Sequence, residues 1–161
     1  MKVVVNSSPL IALGSIAQVH LLKSIYEEVY LPDEVFRETV TNGKNAIIGD
    51  SIRNYGFRVK SVSNIFTVNI LSEIVDRGEA EVIVLAGEIG ASTVIIDEIR
   101  ARRIAEKQNL DVIGSIGILL IAKKRKLIPS LSECITQMQQ QNIYISDKLK
   151  TEVLKEAGEA F

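Results

Sequence analysis

The chain has 161 residues, 47% of them apolar and 24% charged, with a formal net charge of −1. That length suits one domain and the apolar share suffices for a core, while the near-neutral charge excludes a protein that coats nucleic acid by bulk attraction and leaves room only for a local basic groove. The single cysteine, Cys134, excludes an internal disulfide and a multi-cysteine zinc cage.

The first ten residues lack the charged segment, long apolar stretch and small-residue cleavage site of a secretory leader. The longest apolar run, residues 112–122, falls well short of the ~20 residues that span a bilayer. The expectation is a cytoplasmic protein without a membrane span.

Residues 2–5 form a β-branched run that predicts a buried strand. Asn6-Ser7-Ser8-Pro9 follows, with Ser8 expected to cap the first helix and Pro9 to be its first residue. Leu10, Leu13, Ile16 and Ala17 then recur at helical spacing. A second short helix is expected over 19–25 and a second strand over 28–31. Pro32-Asp33 opens a helix through Val40, which stops near Asn42-Gly43. The pattern between 45 and 64 suggests a short helix over 50–55 and a strand over 57–62.

Residues 68–75 read as helical. Residues 80–89 are apolar on nearly every side, which predicts a buried helix closed by Gly90. A strand over 93–96 follows, then an amphipathic basic helix over 98–108 and a short strand at Val112 and Ile113. Another apolar helix is expected over 115–124, with Lys123 to Lys126 at its cation-favouring C-terminal end. Tail helices over 130–141 and 147–156 complete the chain, with Ser146 as a cap for the second. Alternating strands and helices predict a parallel sheet covered on both faces, with the ligand crevice outside the carboxyl ends of the strands.

Asn6 and Asp97 each end a predicted strand, and Glu98 follows Asp97 directly. Glu38 lies on the helix after the second strand, and Glu79, with Glu81 nearby, at the start of the buried helix. Each has a bland reading as a helix cap or dipole partner beside its functional one. Arg100, Arg103 and Lys107 share one helical face after Asp97, whereas Arg102 has the spacing to pair with Glu106. Ser7, Ser8 and Ser115 can cap helices or bond a phosphate. His20 reads as surface or packing, and Cys134, among Leu131, Ile135 and Met138, as an inert core thiol. No glycine-rich phosphate loop follows a strand, and Asn6-Ser7-Ser8 departs from the acidic pair of a receiver domain.

Together these segments carry a resemblance. Asn6 to Ile11, Leu31 to Glu38, Gly78 to Glu81, Ile96 to Glu98 with Ala101 to Arg103, Gly114 to Leu120, and the tail from Ile145 to Gly158 look like a PIN domain. The nearest branch starts Asp or Asn, then Ser/Thr-Ser-Pro-Leu-Ile. The resemblance covers nearly the whole chain. It implies one domain over 1–161, with C-terminal helices from about 130. The implied fold is three-layer α/β/α, with a central, mostly parallel sheet of about four or five strands. It also implies a ribonuclease using magnesium or manganese, with Glu38, Glu79 and Asp97 as catalytic acids and Asn6 and Glu98 completing the metal set. Asn6 stands where the family usually has Asp, which removes one unit of negative charge. Ser8, Ser115, Arg100, Arg103 and Lys107 would meet single-stranded RNA. A VapC-like toxin would also be a homodimer held by a small antitoxin. The alternative is a PIN fold without catalysis that binds RNA or protein.

Overall fold

The computed structural model describes residues 1–159. Five parallel strands form one sheet in the order β3-β2-β1-β4-β5: β1 (Lys2–Val5), β2 (Glu28–Pro32), β3 (Arg58–Lys60), β4 (Thr93–Ile95) and β5 (Asp111–Ile113). Val3, Val4, Val5, Val94 and Ile95 have no solvent exposure. Fully buried strands of this kind read as continuous β-branched runs, because helices cover both faces of a parallel sheet.

The helices are α1 (Ser7–Ser15), α2 (Leu21–Ile25), α3 (Asp33–Phe36), α4 (Ala46–Asn54), α5 (Ile65–Leu71), α6 (Arg77–Ile89), α7 (Ile99–Lys107), α8 (Ser115–Lys124), α9 (Leu131–Gln140) and α10 (Asp147–Glu156). The chain moves outward from β1 through β2 to β3, then returns past β1 to β4 and β5. The order therefore reverses between β1 and β4, and the crevice of an open α/β sheet opens at such a reversal. Among the described residues no helix is long and apolar enough to cross a membrane.

Several boundaries differ from the sequence expectation, each for a local reason. The cap of α1 is Asn6, not Ser8, and Pro9 sits in the third helical position. Proline is tolerated there because the first backbone N–H groups of a helix have no partner within it. α3 passes directly into a π-turn over Arg37–Thr41, in which Asn42 N–H donates to the Arg37 carbonyl at 2.8 Å. Thr39 inside this turn returns its hydroxyl to the Val35 carbonyl at 2.7 Å. π-turns leave no simple periodicity mark and recur at functional sites.

α4 starts earlier than expected because the Asn45 side chain caps it, accepting from Ile47 N–H. α5 lies at 65–71 rather than 68–75, capped by Asn64. α6 starts at Arg77 rather than Ala80, because Asp76 and Glu79 form a capping box. α8 and α10 run as expected, and Ser146 does cap α10, accepting from Leu149 N–H.

The tail packs on the body. Leu131, Cys134, Ile135, Met138 and Val153 are buried, and burial pushes the Cys134 thiol upward. Glu159 accepts from the N–H groups of Leu131 and Ser132, so this residue beyond α10 clasps the start of α9. Lys123 and Lys124 of the basic run pair with Glu159 and Glu156 rather than standing free. His20 lies against Tyr55, ring centroids 5.9 Å apart.

Candidate functional site

Each predicted acidic position follows from an element that ends or starts at the carboxyl edge of the sheet. Asn6 follows β1, and its N–H extends the ladder by donating to the Ile95 carbonyl. Its backbone has the extended shape of a helix cap, yet its side chain makes no cap bond. Freed from that duty, the amide turns toward α6. A Cβ built on Gly78 would sit 2.6 Å from Glu38 Oε1, 3.5 Å from Asp76 Oδ1 and 3.6 Å from Asn6 Oδ1. Three oxygens from three separate elements thus converge on one point that only a glycine leaves open.

Charge at this point is poorly compensated. Glu38 has its pKa raised, first by burial and then by the Asp76 and Glu34 carboxylates, with Ser7 and Arg37 opposing. Ser7 Oγ is buried and makes no hydrogen bond of good geometry, although it lies near enough to Glu38 to favour the charged carboxylate. Glu79, also buried, is pushed up to about 6, chiefly by burial, with the Asp76 and Glu98 charges adding to it. One of its oxygens accepts from Asp76 N–H at 3.0 Å in the capping box. Crowded carboxylates raise one another in this way unless a cation intervenes.

Asp97 has a different setting. Its Oδ1 accepts from Ser115 N–H at 2.7 Å, so it caps α8 from the adjacent strand end. A Cβ on Gly114 would lie 2.6 Å from that oxygen and 3.1 Å from an Arg102 nitrogen. Arg102 itself donates to the Ile96 carbonyl at 2.7 Å rather than pairing with Glu106 as its spacing suggested. Its chain reaches back over the strand end because the Ile96 carbonyl lies where β4 turns into α7. Glu98 caps α7 by accepting from Ala101 N–H, and backbone N–H groups with Arg100 and Arg103 hold its pKa down.

The structure therefore brings Asn6 and Glu38 together with Asp76, which sequence reasoning passed over, and places Glu79 beside Asp76. It seats Asp97 and Ser115 on the neighbouring strand ends. The Asp76-x-x-Glu79 spacing before an apolar run was the available signal for Asp76. Arg100 and Arg103 are exposed at the start of α7, whereas Lys107 lies at its far end, about 10 Å along the axis. Ser8 is exposed beside Asp97. Glu81 is a structural acid that accepts from Glu34 N–H and Arg77.

The donors at Gly78 are all oxygen, as a hard divalent cation requires. Among the described residues, no three His, Cys, Asp or Glu side chains gather closely enough to hold an ion by themselves. Magnesium needs fewer, since it keeps several waters and is commonly held by one or two carboxylates. Glu38 and Asp76, with the Asn6 carbonyl and the unpartnered Ser7 hydroxyl, fit such a partly hydrated ion.

An all-parallel sheet of this order, with acids gathered at its reversal point, defines a class of α/β protein built to bind at that edge. The chain belongs to the PIN-domain family, whose model matches residues 2–159. PIN domains are generally nucleases and typically use divalent metals. No curated protein matches the chain.

Proposed function

We propose that this chain is a magnesium- or manganese-dependent endoribonuclease of single-stranded RNA, of the PIN toxin kind. The observation that carries the reading is the convergence of Asn6, Glu38 and Asp76 oxygens above Gly78, beside the unpartnered Ser7 hydroxyl. A bound divalent ion supplies positive charge to the phosphate and acidifies a water. Glu38 and Asp76 offer anionic oxygens to hold it, and Asn6 a neutral one. Glu79, with a pKa of about 6, is poised to exchange a proton near neutral pH. Asp97 and Glu98 line the neighbouring strand end. Arg100 and Arg103 face the RNA backbone, Lys107 extends that basic face, and Ser8 meets the RNA beside Asp97, while Ser115, expected to do the same, is buried and gives its N–H to Asp97.

Phe66, Ile70 and Ile74 stand exposed on and beyond α5. Such an apolar surface supports a protein partner, either a second copy or a small antitoxin. The test is cleavage of single-stranded RNA by purified protein with manganese. The expected result is cutting that stops with a chelator and is lost in Glu38→Gln. Cutting that survives both would overturn the reading.

A second reading, a PIN fold that binds RNA or protein without cutting, is favoured by one observation. Asp76, Glu79, Asp97 and Glu98 each already commit an oxygen to a backbone N–H, and Asn6 carries no charge. RNA binding without metal-dependent cleavage would select it.

A further inference from the structure

Two cavities border the exposed Ile11 of α1. One, of about 250 Å³, includes Glu38, Lys44 and Ile11 in its lining. The other, of about 580 Å³, includes Ser8, Ile11, Asp97, Ile99, Tyr144 and Leu149. Ile11 borders both, and the larger reaches Asp97 and the loop between α9 and α10. The larger cavity has the volume of a small-molecule site. It is unusual in its lining. Ile11, Ile99, Leu149 and Tyr144 are all exposed, Tyr144 by 88%, yet they share the lining with Asp97, the exposed Ser8 and the buried Ser115.

We propose that this larger cavity receives one unpaired base of a single-stranded nucleic acid, its ring laid against Tyr144 and its polar edge turned toward Ser8 and Asp97. The inference rests on the single-stranded RNA reading of the acidic site and adds the element that recognises the base. An aromatic ring and aliphatic neighbours offer a stacking face that any base accepts. The polar floor decides between occupants. An apolar anchor from a protein partner would cover the exposed Ser8 hydroxyl and the half-buried Asp97 carboxylate while adding no donor to the Ser115 N–H that Asp97 already has, and under-paired buried polar groups are costly. A base brings ring and exocyclic donors to the same place. A paired base cannot enter, because its edge and faces are already occupied in the duplex.

The test is fluorescence anisotropy with a labelled single-stranded RNA oligonucleotide, using the full chain in a metal chelator so that nothing is cut. Tyr144→Ala should weaken binding roughly 5- to 100-fold, the range that loss of one stacked base gives. Tyr144→Phe should bind like the wild type, as should Phe66→Ala, which removes an exposed aromatic elsewhere. Duplex RNA of the same sequence should bind more weakly and ignore Tyr144→Ala. Unchanged binding by Tyr144→Ala, equal loss in Phe66→Ala, or no binding of single strands by the wild type would each overturn the proposal. Loss of self-association in Tyr144→Ala with RNA binding intact would also overturn it and point to a protein occupant. Failure of the nuclease reading is separately visible: it appears as absent cleavage with manganese while the Tyr144 dependence of binding remains.

Discussion

Gly78 and Gly114 occupy similar positions on opposite sides of the crevice, and each abuts a carboxylate oxygen at 2.6 Å from where its Cβ would be. Around Gly114 that oxygen is answered by the Ser115 N–H at 2.7 Å, and the Arg102 nitrogen near the same point donates to the Ile96 carbonyl. Around Gly78 the Asp76 oxygen accepts from Glu79 N–H, but the Glu38 oxygen has no backbone donor and meets further oxygens from Asp76 and Asn6, with only the Ser7 hydroxyl and the more distant Arg37 charge to oppose them. The first arrangement is complete as it stands and holds a helix to a strand end. The second is short of positive charge, which is the physical signature of a place that takes a cation. An acidic residue type does not distinguish the two roles; the compensation around it does.

The largest expected effect tests that contrast through stability. Gly114→Ala must displace Asp97, a short side chain already tied to Ser115 N–H, and should cost about 1–3 kcal/mol by leaving that buried donor unpaired. Gly78→Ala meets the far end of Glu38, which can swing away, and alanine favours the helix by up to about 1 kcal/mol. Denaturant melts should therefore show a clear loss for Gly114→Ala and a change within about 1 kcal/mol for Gly78→Ala. Equal losses would erase the distinction between the two sides.

The pH dependence is the next effect in size. Glu79 has a folded pKa of about 6, raised mainly by burial, against an ordinary value of 4.5. A raised acid contributes its stability fully below the unfolded value and loses it as pH climbs through the folded one. Metal-free protein should thus lose on the order of 1–2 kcal/mol from this group between about pH 4.5 and pH 6 to 7. Glu79→Gln keeps the acceptor for Asp76 N–H and should flatten that part of the profile. Parallel profiles for both proteins would show that Glu79 does not carry the strain.

Asn6→Asp gives the smallest effect on the apo protein. A new carboxylate beside Glu38 and Asp76 should lower metal-free stability at neutral pH by on the order of 1 kcal/mol. Added manganese should reverse the loss. No change in either measurement would place residue 6 outside the charge-poor cluster.

Much of the frame was readable from residue patterns, because its signals are local. The β-branched runs at 2–5 and 93–96 mark the central strands, and α8 and α10 have the bounds expected for them. The site was readable only in part. That Asn6 leaves its cap position unused depends on what α6 offers it, which is a tertiary matter. The direction of Glu38 depends on a π-turn that has no periodic signature. Arg102 had a local partner available at Glu106 and took a carbonyl across the strand end instead. Asp76 alone had a local sign, its capping-box spacing to Glu79, and that sign points to helix structure as readily as to chemistry.

The central claim is that the oxygens above Gly78 form a cation site. It is tested most directly by calorimetric titration of manganese into the wild type and Gly78→Ala, both shown to be folded by their melts. The wild type should give a binding isotherm and Gly78→Ala one at least tenfold weaker, about 1.4 kcal/mol, since the added methyl displaces Glu38. Equal affinity in the two proteins, or no binding by the wild type, would contradict it.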